Sequence, residues 1–262
     1  MGNFGTCRLC KQRSEIRESH FFPRAMYALL RGNVDPKFVQ FDSVSEKYTT
    51  KQIKDRLLCD GCEERFNSGG ERWVLSNGLQ KSGRFPLQLA LKAAEPTVGK
   101  GELLLGFDSA TISGLDVKKL GYFGASIFWR AAAHDWTGKE QPKLKLGIYE
   151  EQVRKYLLGL ESFPKHASLS IWVADDTNPS EAFTTPSGGR VAGGSWLYSF
   201  HIPGFLFLLS TGQQRPDDIY SRCAIGSQNQ TIYLTSLVEH FLKDTAARVY
   251  YFDNNRLKTS SA

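Results

Sequence analysis

The sequence contains no hydrophobic run long enough to cross a bilayer. The longest apolar stretch, residues 202–209, has the length of a strand and is interrupted by Pro203 and Gly204, whereas a membrane helix needs roughly 20 apolar residues. The first eight residues lack the basic and then apolar pattern of a secretory signal. Internal repeats and low-complexity tracts are absent too. We therefore expect a cytoplasmic protein with no membrane partner.

The net charge is also small, and cysteine is scarce. The chain of 262 residues has 33 Lys and Arg against 27 Asp and Glu, a net charge of +6, and only five cysteines. This mild basic balance permits a phosphate-rich partner without establishing one. Hydrophobic residues make up 41% and aromatic residues 12%, which is enough for a packed core and excludes a disordered chain.

Four of the five cysteines form two CxxC pairs, Cys7 with Cys10 and Cys59 with Cys62. In a chain without a secretory signal, such knuckles favour thiolate ligands for a tetrahedral metal, with zinc as the first choice. The long gap between the pairs predicts an elaborated ribbon or a treble clef rather than a short finger. The alternative is two unrelated redox or buried pairs, and Cys223 is expected to be a plain buried residue.

The segments around the knuckles follow a definite order. A strand-like stretch ends in residues 19–23, Ser-His-Phe-Phe-Pro, and a helix is predicted over residues 24–30. The second knuckle follows Leu57 and Leu58 and precedes a predicted helix that begins with Glu63 and Glu64. This order of knuckle, histidine-bearing strand, second knuckle and helix resembles the HNH endonuclease family in its zinc-bearing, treble-clef form.

The resemblance covers about the first quarter of the chain and implies a phosphodiester hydrolase. It implies that His20 is the general base, that the zinc is structural, and that Mg or Mn serves catalysis. The family usually has Asp or His where Ser19 stands and His or Asn where Glu63 stands, so Glu63 is a candidate ligand for the divalent ion. One alternative stays open for each residue. His20 is then a strand histidine that forms a hydrogen bond with a backbone carbonyl, and Glu63 is an acidic residue favoured by the helix dipole alone.

The remaining sequence predicts a second, larger region. We assign residues 1–75 to the zinc-binding module, 76–118 to a connecting segment with one helix, and 119–262 to an α+β domain with an antiparallel sheet. In this domain the apolar spacing predicts helices over residues 120–131 and 149–158. Strands are predicted over 169–173, 196–202 and 205–209, the last two as a hairpin, and the glycine-rich residues 186–194 are predicted to form a loop.

Basic residues near the knuckles and on the predicted helices are candidate contacts to a nucleic-acid backbone. They are Arg17, Arg24 and Arg65 in the module and Arg130 and Arg154 beyond it.

Three functions are compatible with these patterns. The first is a metal-dependent endonuclease, with DNA favoured over RNA and with a role in anti-phage defence that only the resemblance suggests. The second is a catalytically inactive zinc module that binds nucleic acid or a protein partner. The third is a regulatory sensor, in which the C-terminal domain binds a ligand or partner and controls the module. A protein partner or a homo-oligomer is compatible with these patterns as well.

Overall fold

The structure is a computed structural model that describes residues 3–30, 38–41, 46–49, 52–99, 103–136, 143–176, 182–191, 194–213, 221–238 and 240–241. Its helices and strands form a mixed architecture with a largely antiparallel sheet, so the expected α+β class is confirmed.

Six α-helices lie in this part of the chain, and a π-helical turn (Asn67–Glu71) joins the second to the third. The helices are α1 (Arg24–Leu30), α2 (Asp60–Phe66), α3 (Arg72–Asn77), α4 (Pro86–Lys92), α5 (Val117–Ala133) and α6 (Tyr149–Leu157).

Fifteen strands are also described, and most are short. They are β1 (Phe4–Thr6), β2 (Arg13–Glu15), β3 (Arg17–His20), β4 (Phe38–Phe41), β5 (Glu46–Thr49), β6 (Lys54–Leu58), β7 (Val98–Gly99), β8 (Leu104–Asp108), β9 (Ala167–Ala174), β10 (Phe183–Thr184), β11 (Ser187–Arg190), β12 (Trp196–Ile202), β13 (Phe205–Thr211), β14 (Arg222–Cys223) and β15 (Asn229–Thr235).

The largest sheet has the strand order β11-β12-β13-β9-β15-β8-β7, with β14 paired to β15 beside this path. Neighbouring strands are antiparallel except β9 with β15 and β14 with β15. The expected hairpin is confirmed, because β12 and β13 pair in register from Trp196 opposite Thr211 to Ile202 opposite Phe205. Strands β7 and β8 come from the segment assigned as a connection, and β8 pairs with β15 inside this sheet.

Helix α5 lies in the centre of the molecule and is buried along nearly its whole length. The side chain of Asp116 accepts a hydrogen bond from the Lys119 backbone N–H at 3.0 Å and so caps the helix. One side of α5 packs on the large sheet, where the rings of Phe123 and Phe207 lie 5.7 Å apart. Since nearly all of α5 is buried, other elements pack on the rest of its surface.

The N-terminal elements cover the opposite side of α5. Strands β3 and β6 form a two-stranded antiparallel sheet, called here the ribbon, in which Ser19 pairs with Asp55 and His20 with Lys54. Helix α2 follows the ribbon directly in sequence. A second hydrophobic cluster joins this region to α5 and α6, and its buried members are Cys7, Leu9, Ile16, Leu57, Leu58, Cys62, Phe66, Ala125, Trp129, Ala133, Val153 and Leu157.

The prediction of a loop over the glycine-rich residues was wrong. Residues Ser187–Arg190 form β11, the strand at one end of the large sheet, and pair with β12. At Gly188 a Cβ atom would lie 2.4 Å from a ring carbon of Tyr198 and 2.5 Å from the Leu197 carbonyl oxygen. Glycine is therefore required by close packing of the edge strand, and not by loop flexibility.

None of the helices in the described ranges is both long and apolar enough to cross a membrane.

A glycine in the π-helical turn sets the distance between this turn and α5. A Cβ atom on Gly70 would lie 2.6 Å from the backbone oxygen of Lys119 and 2.8 Å from the backbone nitrogen of Phe123. Because backbone atoms cannot move aside as side chains do, we expect Gly70→Ala to lower the free energy of unfolding by about 1–3 kcal/mol in urea denaturation.

Gly61 provides the matched control, since a Cβ there meets nothing within 4 Å. Gly61 lies in helix α2, so Gly61→Ala should leave stability unchanged or raise it by up to about 1 kcal/mol. Equal destabilisation by both substitutions would contradict the close approach at Gly70.

Candidate functional site: the cysteine cluster and the ribbon

The four paired cysteines come together in one cluster. The sulfur atoms of Cys7, Cys10, Cys59 and Cys62 all lie within 4.8 Å of one another, and those of Cys10 and Cys59 are 3.9 Å apart. In a tetrahedral site with metal–sulfur bonds near 2.3 Å, sulfur atoms are separated by about 3.8 Å. The cluster could therefore hold a metal ion, and Cys223 lies outside it.

Tight turns present the sulfur atoms of each knuckle to the same point. In the first knuckle the Lys11 N–H donates to the Cys7 carbonyl at 2.9 Å, and Lys11 adopts a positive φ of 63°. In the second the N–H groups of Cys62 and Glu63 both donate to the Cys59 carbonyl at 3.0 Å. The Cys59 N–H also donates to the Cys7 sulfur at 3.4 Å, which joins the two knuckles.

Hydrogen bonding and burial shift the cysteine pKa values in opposite directions. A hydrogen bond from Cys62 and several backbone N–H donors lower the pKa of Cys7 to about 4. The hydrogen bond to Cys7 together with burial raises the pKa of Cys62, and burial raises that of Cys10. Four thiolates this close repel one another strongly, and a bound divalent cation would relieve that repulsion.

Beside the cluster, the ribbon has an inner face that packs against helix α2. The hydroxyl group of Ser19 donates a hydrogen bond to Glu63 and accepts one from the Leu58 N–H at 3.2 Å. Ser19 is fully buried, at 0% exposed. Burial raises the pKa of Glu63, while the positive charge of Arg130 and the hydrogen bond from Ser19 act in the opposite direction. The residues at positions 19 and 63 thus contact each other beneath the surface.

Arg130 of helix α5 supplies the positive charge near Glu63 and Ser19, and its side chain is only 1% exposed. Its guanidinium donates to Glu71 at 2.5 Å and to the Phe21 carbonyl at 3.0 Å. The carbon atom of the guanidinium also lies 4.7 Å from the ring centre of Phe66. Arg130 was expected to contact a nucleic-acid backbone, and that expectation is wrong because the side chain is enclosed.

His20 has its side chain on the opposite, outer face of the ribbon, since successive side chains in a strand alternate. Its Nε2 lies 2.8 Å from the amide oxygen of Gln52. A hydrogen bond from Nε2–H to this oxygen corresponds to the tautomer whose lone pair is on Nδ1. Burial is the largest cause that lowers the pKa of His20, and the nearby charges of Lys54 and Arg24 act in the same direction. The hydrogen bond with Gln52 and the negative charge of Glu18 raise the pKa of His20 and so oppose these effects.

The outer face around His20 is rich in exposed cations. Arg24 begins helix α1 next to the ribbon, and Lys54 and Arg56 alternate along β6. Glu18 supplies the opposing charge and pairs with Lys54 at 2.7 Å. The positive charges of Lys54 and Arg56 lower the pKa of Glu18 further. Together Arg24, Lys54, Arg56 and His20 form what we call the outer face.

The other arginine candidates have protein partners. Arg17 makes a double hydrogen bond to Asp60 at 2.5 and 2.9 Å. Arg65 donates to the Leu158 carbonyl at 3.3 Å. Arg154 contacts both Glu151 and the Leu9 carbonyl, so it attaches α6 to the first knuckle. Of the predicted arginines, Arg24 alone has no hydrogen bond or ion pair with any residue that the structure describes.

Sequence reasoning missed Lys54, Arg56 and Gln52. Lys54, Asp55 and Arg56 are three consecutive charged residues, so only the pairing of β6 with β3 shows that Lys54 and Arg56 share the face of His20. Nothing local in the sequence pointed to Gln52, because it meets His20 only through the pairing of β3 with β6.

Comparisons with family models, with curated proteins and with solved structures returned no match. The function is therefore inferred from the geometry of the site.

The cluster predicts a measurable metal content. We expect about one zinc ion per chain by atomic emission, and we expect a strong chelator to lower Tm by roughly 10 °C because the cysteines lie in a core shared with α5 and α6. Cys7→Ser should lose the metal and show the same fall in Tm.

Cys223 offers the control, since it is buried but lies outside the cluster. Cys223→Ser should keep the full metal content even if it is less stable. Absence of metal from protein purified with zinc present would contradict the proposed site.

Proposed function

We propose that residues 1–75 form a zinc-bearing treble-clef module of HNH-like form, which binds nucleic acid through the outer face. The observation that carries this proposal is the group of three exposed cations around the half-buried His20. The cysteine cluster supports the zinc-bearing form, and the succession of ribbon and helix α2 supports the treble clef.

Phosphate groups suit the outer face in charge and spacing. Side chains two residues apart on a strand are separated by about 6.6–6.8 Å, the spacing of Lys54 and Arg56, and successive phosphates of a nucleic-acid strand lie at a comparable distance. Arginine donates to phosphate oxygens in a fixed fork, and lysine acts as a point charge. Contacts to phosphate carry no sequence information, so we propose that the outer face binds the backbone of DNA, and of RNA more weakly, without sequence preference.

Removal of two outer-face cations should weaken this binding. We expect Arg24→Gln/Arg56→Gln to raise the Kd for a fluorescent 20-base-pair DNA duplex, as measured by anisotropy at several salt concentrations. The slope of log K against log salt should become shallower by about 0.9 for each phosphate that the variant no longer neutralises.

A matched control removes two positive charges elsewhere. Lys118 and Lys119 lie in the first turn of α5, roughly 20 Å along the helix from its end beside the ribbon. The Lys118→Gln/Lys119→Gln variant has the same net charge as the Arg24→Gln/Arg56→Gln variant. It should keep the slope of log K against log salt of the unmodified protein. An equal fall in affinity in both variants would indicate a general charge effect and overturn the assignment of the outer face.

A second candidate function is hydrolysis of the bound strand, with His20 as general base. It is favoured by the position of His20 on the face that carries the cations and by the burial that lowers the pKa of its imidazole. A neutral imidazole can accept a proton from water, and neighbouring arginine and lysine side chains can stabilise the charge that develops on a phosphate. This is the reaction that the resemblance to HNH endonucleases implies.

The residues around Glu63 do not fit an exposed site for Mg or Mn. Ser19 is fully buried, and Arg130 already supplies a positive charge to Glu63 and Glu71. We therefore assign Glu63 to the support of the ribbon, through its hydrogen bond with Ser19.

The test for hydrolysis is cleavage of supercoiled plasmid and of a labelled RNA, with and without Mg or Mn. We expect His20→Ala and His20→Asn to abolish cleavage while DNA affinity and Tm stay within error of the unmodified protein. Since the base must be deprotonated, the rate should rise with pH through the pKa of His20, which burial lowers, and level off above it.

Cleavage that survives both substitutions would exclude His20 as the base. If the protein binds DNA through the outer face and cleaves neither substrate, the module is a binding module only.

A further inference from the structure

The hairpin of β1 and β2 carries the first knuckle in its turn, and hydrogen bonds fix its shape. The Cys7 N–H donates to the Gln12 carbonyl at 3.0 Å, and the Lys11 N–H donates to the Cys7 carbonyl at 2.9 Å. The Arg8 N–H donates to the Leu57 carbonyl at 3.1 Å, which attaches the turn to the end of the ribbon. The hairpin is thus preformed, and a ligand need not order it.

The two faces of the hairpin differ in their surroundings. Gly5 and Ser14 lie opposite each other on the inner one, where a Cβ on Gly5 would lie 3.1 Å from the Ile16 side chain and the Ser14 hydroxyl is buried. Side chains alternate along each strand, so the neighbouring residues lie on the other face. This face, which we call the knuckle face, is exposed and consists of two cross-strand pairs, Phe4 with Glu15 and Thr6 with Arg13.

Phe4 presents an open aromatic ring on the knuckle face. The residue is 70% exposed, although large aromatic side chains are mostly buried. Its ring contacts no other ring in the part of the chain that the structure describes. Since the backbone of Phe4 is paired with that of Glu15, part of the covered fraction belongs to the backbone. At least one face of the ring is therefore open, and a flat nucleobase can stack on it.

Arg13 places a cation next to this ring. It lies diagonally across the hairpin from Phe4, at a separation of about 7–8 Å that long side chains can span. Its guanidinium forms no hydrogen bond or ion pair with a residue in the described ranges, and the same is true of the exposed Arg8 in the turn. The carboxylate of Glu15 lies 3.7 Å from Arg17, which balances its charge. The guanidinium of Arg13 is thus available to a phosphate.

We propose that the knuckle face binds an unpaired nucleotide of a single-stranded nucleic acid, with the base stacked on Phe4 and an adjacent phosphate bound by Arg13. Bases in a duplex stack on one another, so this site takes single strands or unpaired ends, which the outer face does not distinguish from a duplex. Stacking on an aromatic ring tolerates every base, so we expect no sequence preference. DNA and RNA present the same base and phosphate to this site.

The neighbours of Phe4 favour a base over a lipid surface. Binding to a membrane grows with the apolar area that is buried, and the polar residues Thr6 and Glu15 lie next to Phe4 on the knuckle face. A single ring among polar side chains offers little area to a bilayer, yet it suffices for one base.

The test measures the anisotropy of fluorescent octamers bound by the full, metal-loaded chain. One arm uses a thymidine octamer, a second uses a uridine octamer, and a third uses an abasic octamer of the same length and charge. We expect the abasic octamer to bind roughly 5- to 150-fold more weakly, because it keeps the phosphates and lacks the bases. A tighter complex with one of the first two would assign DNA or RNA as the preferred strand.

Variants of Phe4 place this difference on the knuckle face. Phe4→Ala should bind the thymidine octamer as weakly as the abasic one, and Phe4→Tyr should restore the preference, because its ring also stacks. Both variants should keep the Tm and the zinc content, since the side chain is exposed. Arg13→Gln should weaken binding of all octamers, whereas Lys118→Gln, with the same net charge, should not.

Three results would overturn the proposal. They are equal binding of base-bearing and abasic octamers by the unmodified protein, a preference for bases that Phe4→Ala retains, and no saturable binding of any octamer. Co-sedimentation with vesicles of phosphatidylcholine and phosphatidylserine that Phe4→Ala abolishes would, together with the first result, assign a lipid surface instead.

The Arg24→Gln/Arg56→Gln variant separates this proposal from that of the outer face. Its preference for the thymidine octamer over the abasic octamer should equal that of the unmodified protein if the knuckle face is correct, whatever its affinity for the duplex. Loss of that preference in the variant would place the base at the outer face and overturn the assignment to Phe4.

Discussion

The buried guanidinium of Arg130 is the interaction on which the arrangement of the N-terminal region depends. It lies on α5, the helix that packs on the large sheet, yet its hydrogen bonds reach Glu71 and the Phe21 carbonyl. A buried charge without partners costs several kcal/mol, and the loss of one member of such a pair costs about 3–5 kcal/mol. The ribbon, the π-helical turn and α5 are therefore held in one arrangement by a single side chain.

The metal cluster and this charge network support each other through α2. Cys59 and Cys62 fix the start of that helix, and Glu63 follows directly and accepts a hydrogen bond from Ser19. The π-helical turn then brings Glu71 to Arg130. A metal bound by the knuckles would thus stabilise the ribbon at a distance, because helix, turn and guanidinium are in continuous contact.

The sequence predicted the elements that depend on local signals. The CxxC pairs, α1, α5, α6 and the β12–β13 hairpin follow from spacing, capping residues and apolar periodicity. The burial of Arg130 could not be predicted from such local signals. Its partners lie 59 and 109 positions away in the sequence, and without them an arginine on a helix is expected to be solvated. The edge strand at Gly188 was not predicted either, because glycine occurs both in loops and where two strands pack closely.

The alternation of side chains along β3 explains why two adjacent residues have such different surroundings. Ser19 points inward and takes part in the support of the ribbon, while His20 points outward among the cations. If the residue before the histidine held a metal ion, it would need an opening to the phosphate, and the full burial of Ser19 provides none. Ser19 therefore supports the ribbon, and the proposed contacts with a nucleic acid depend on the outer face, where the imidazole of His20 lies among the cations.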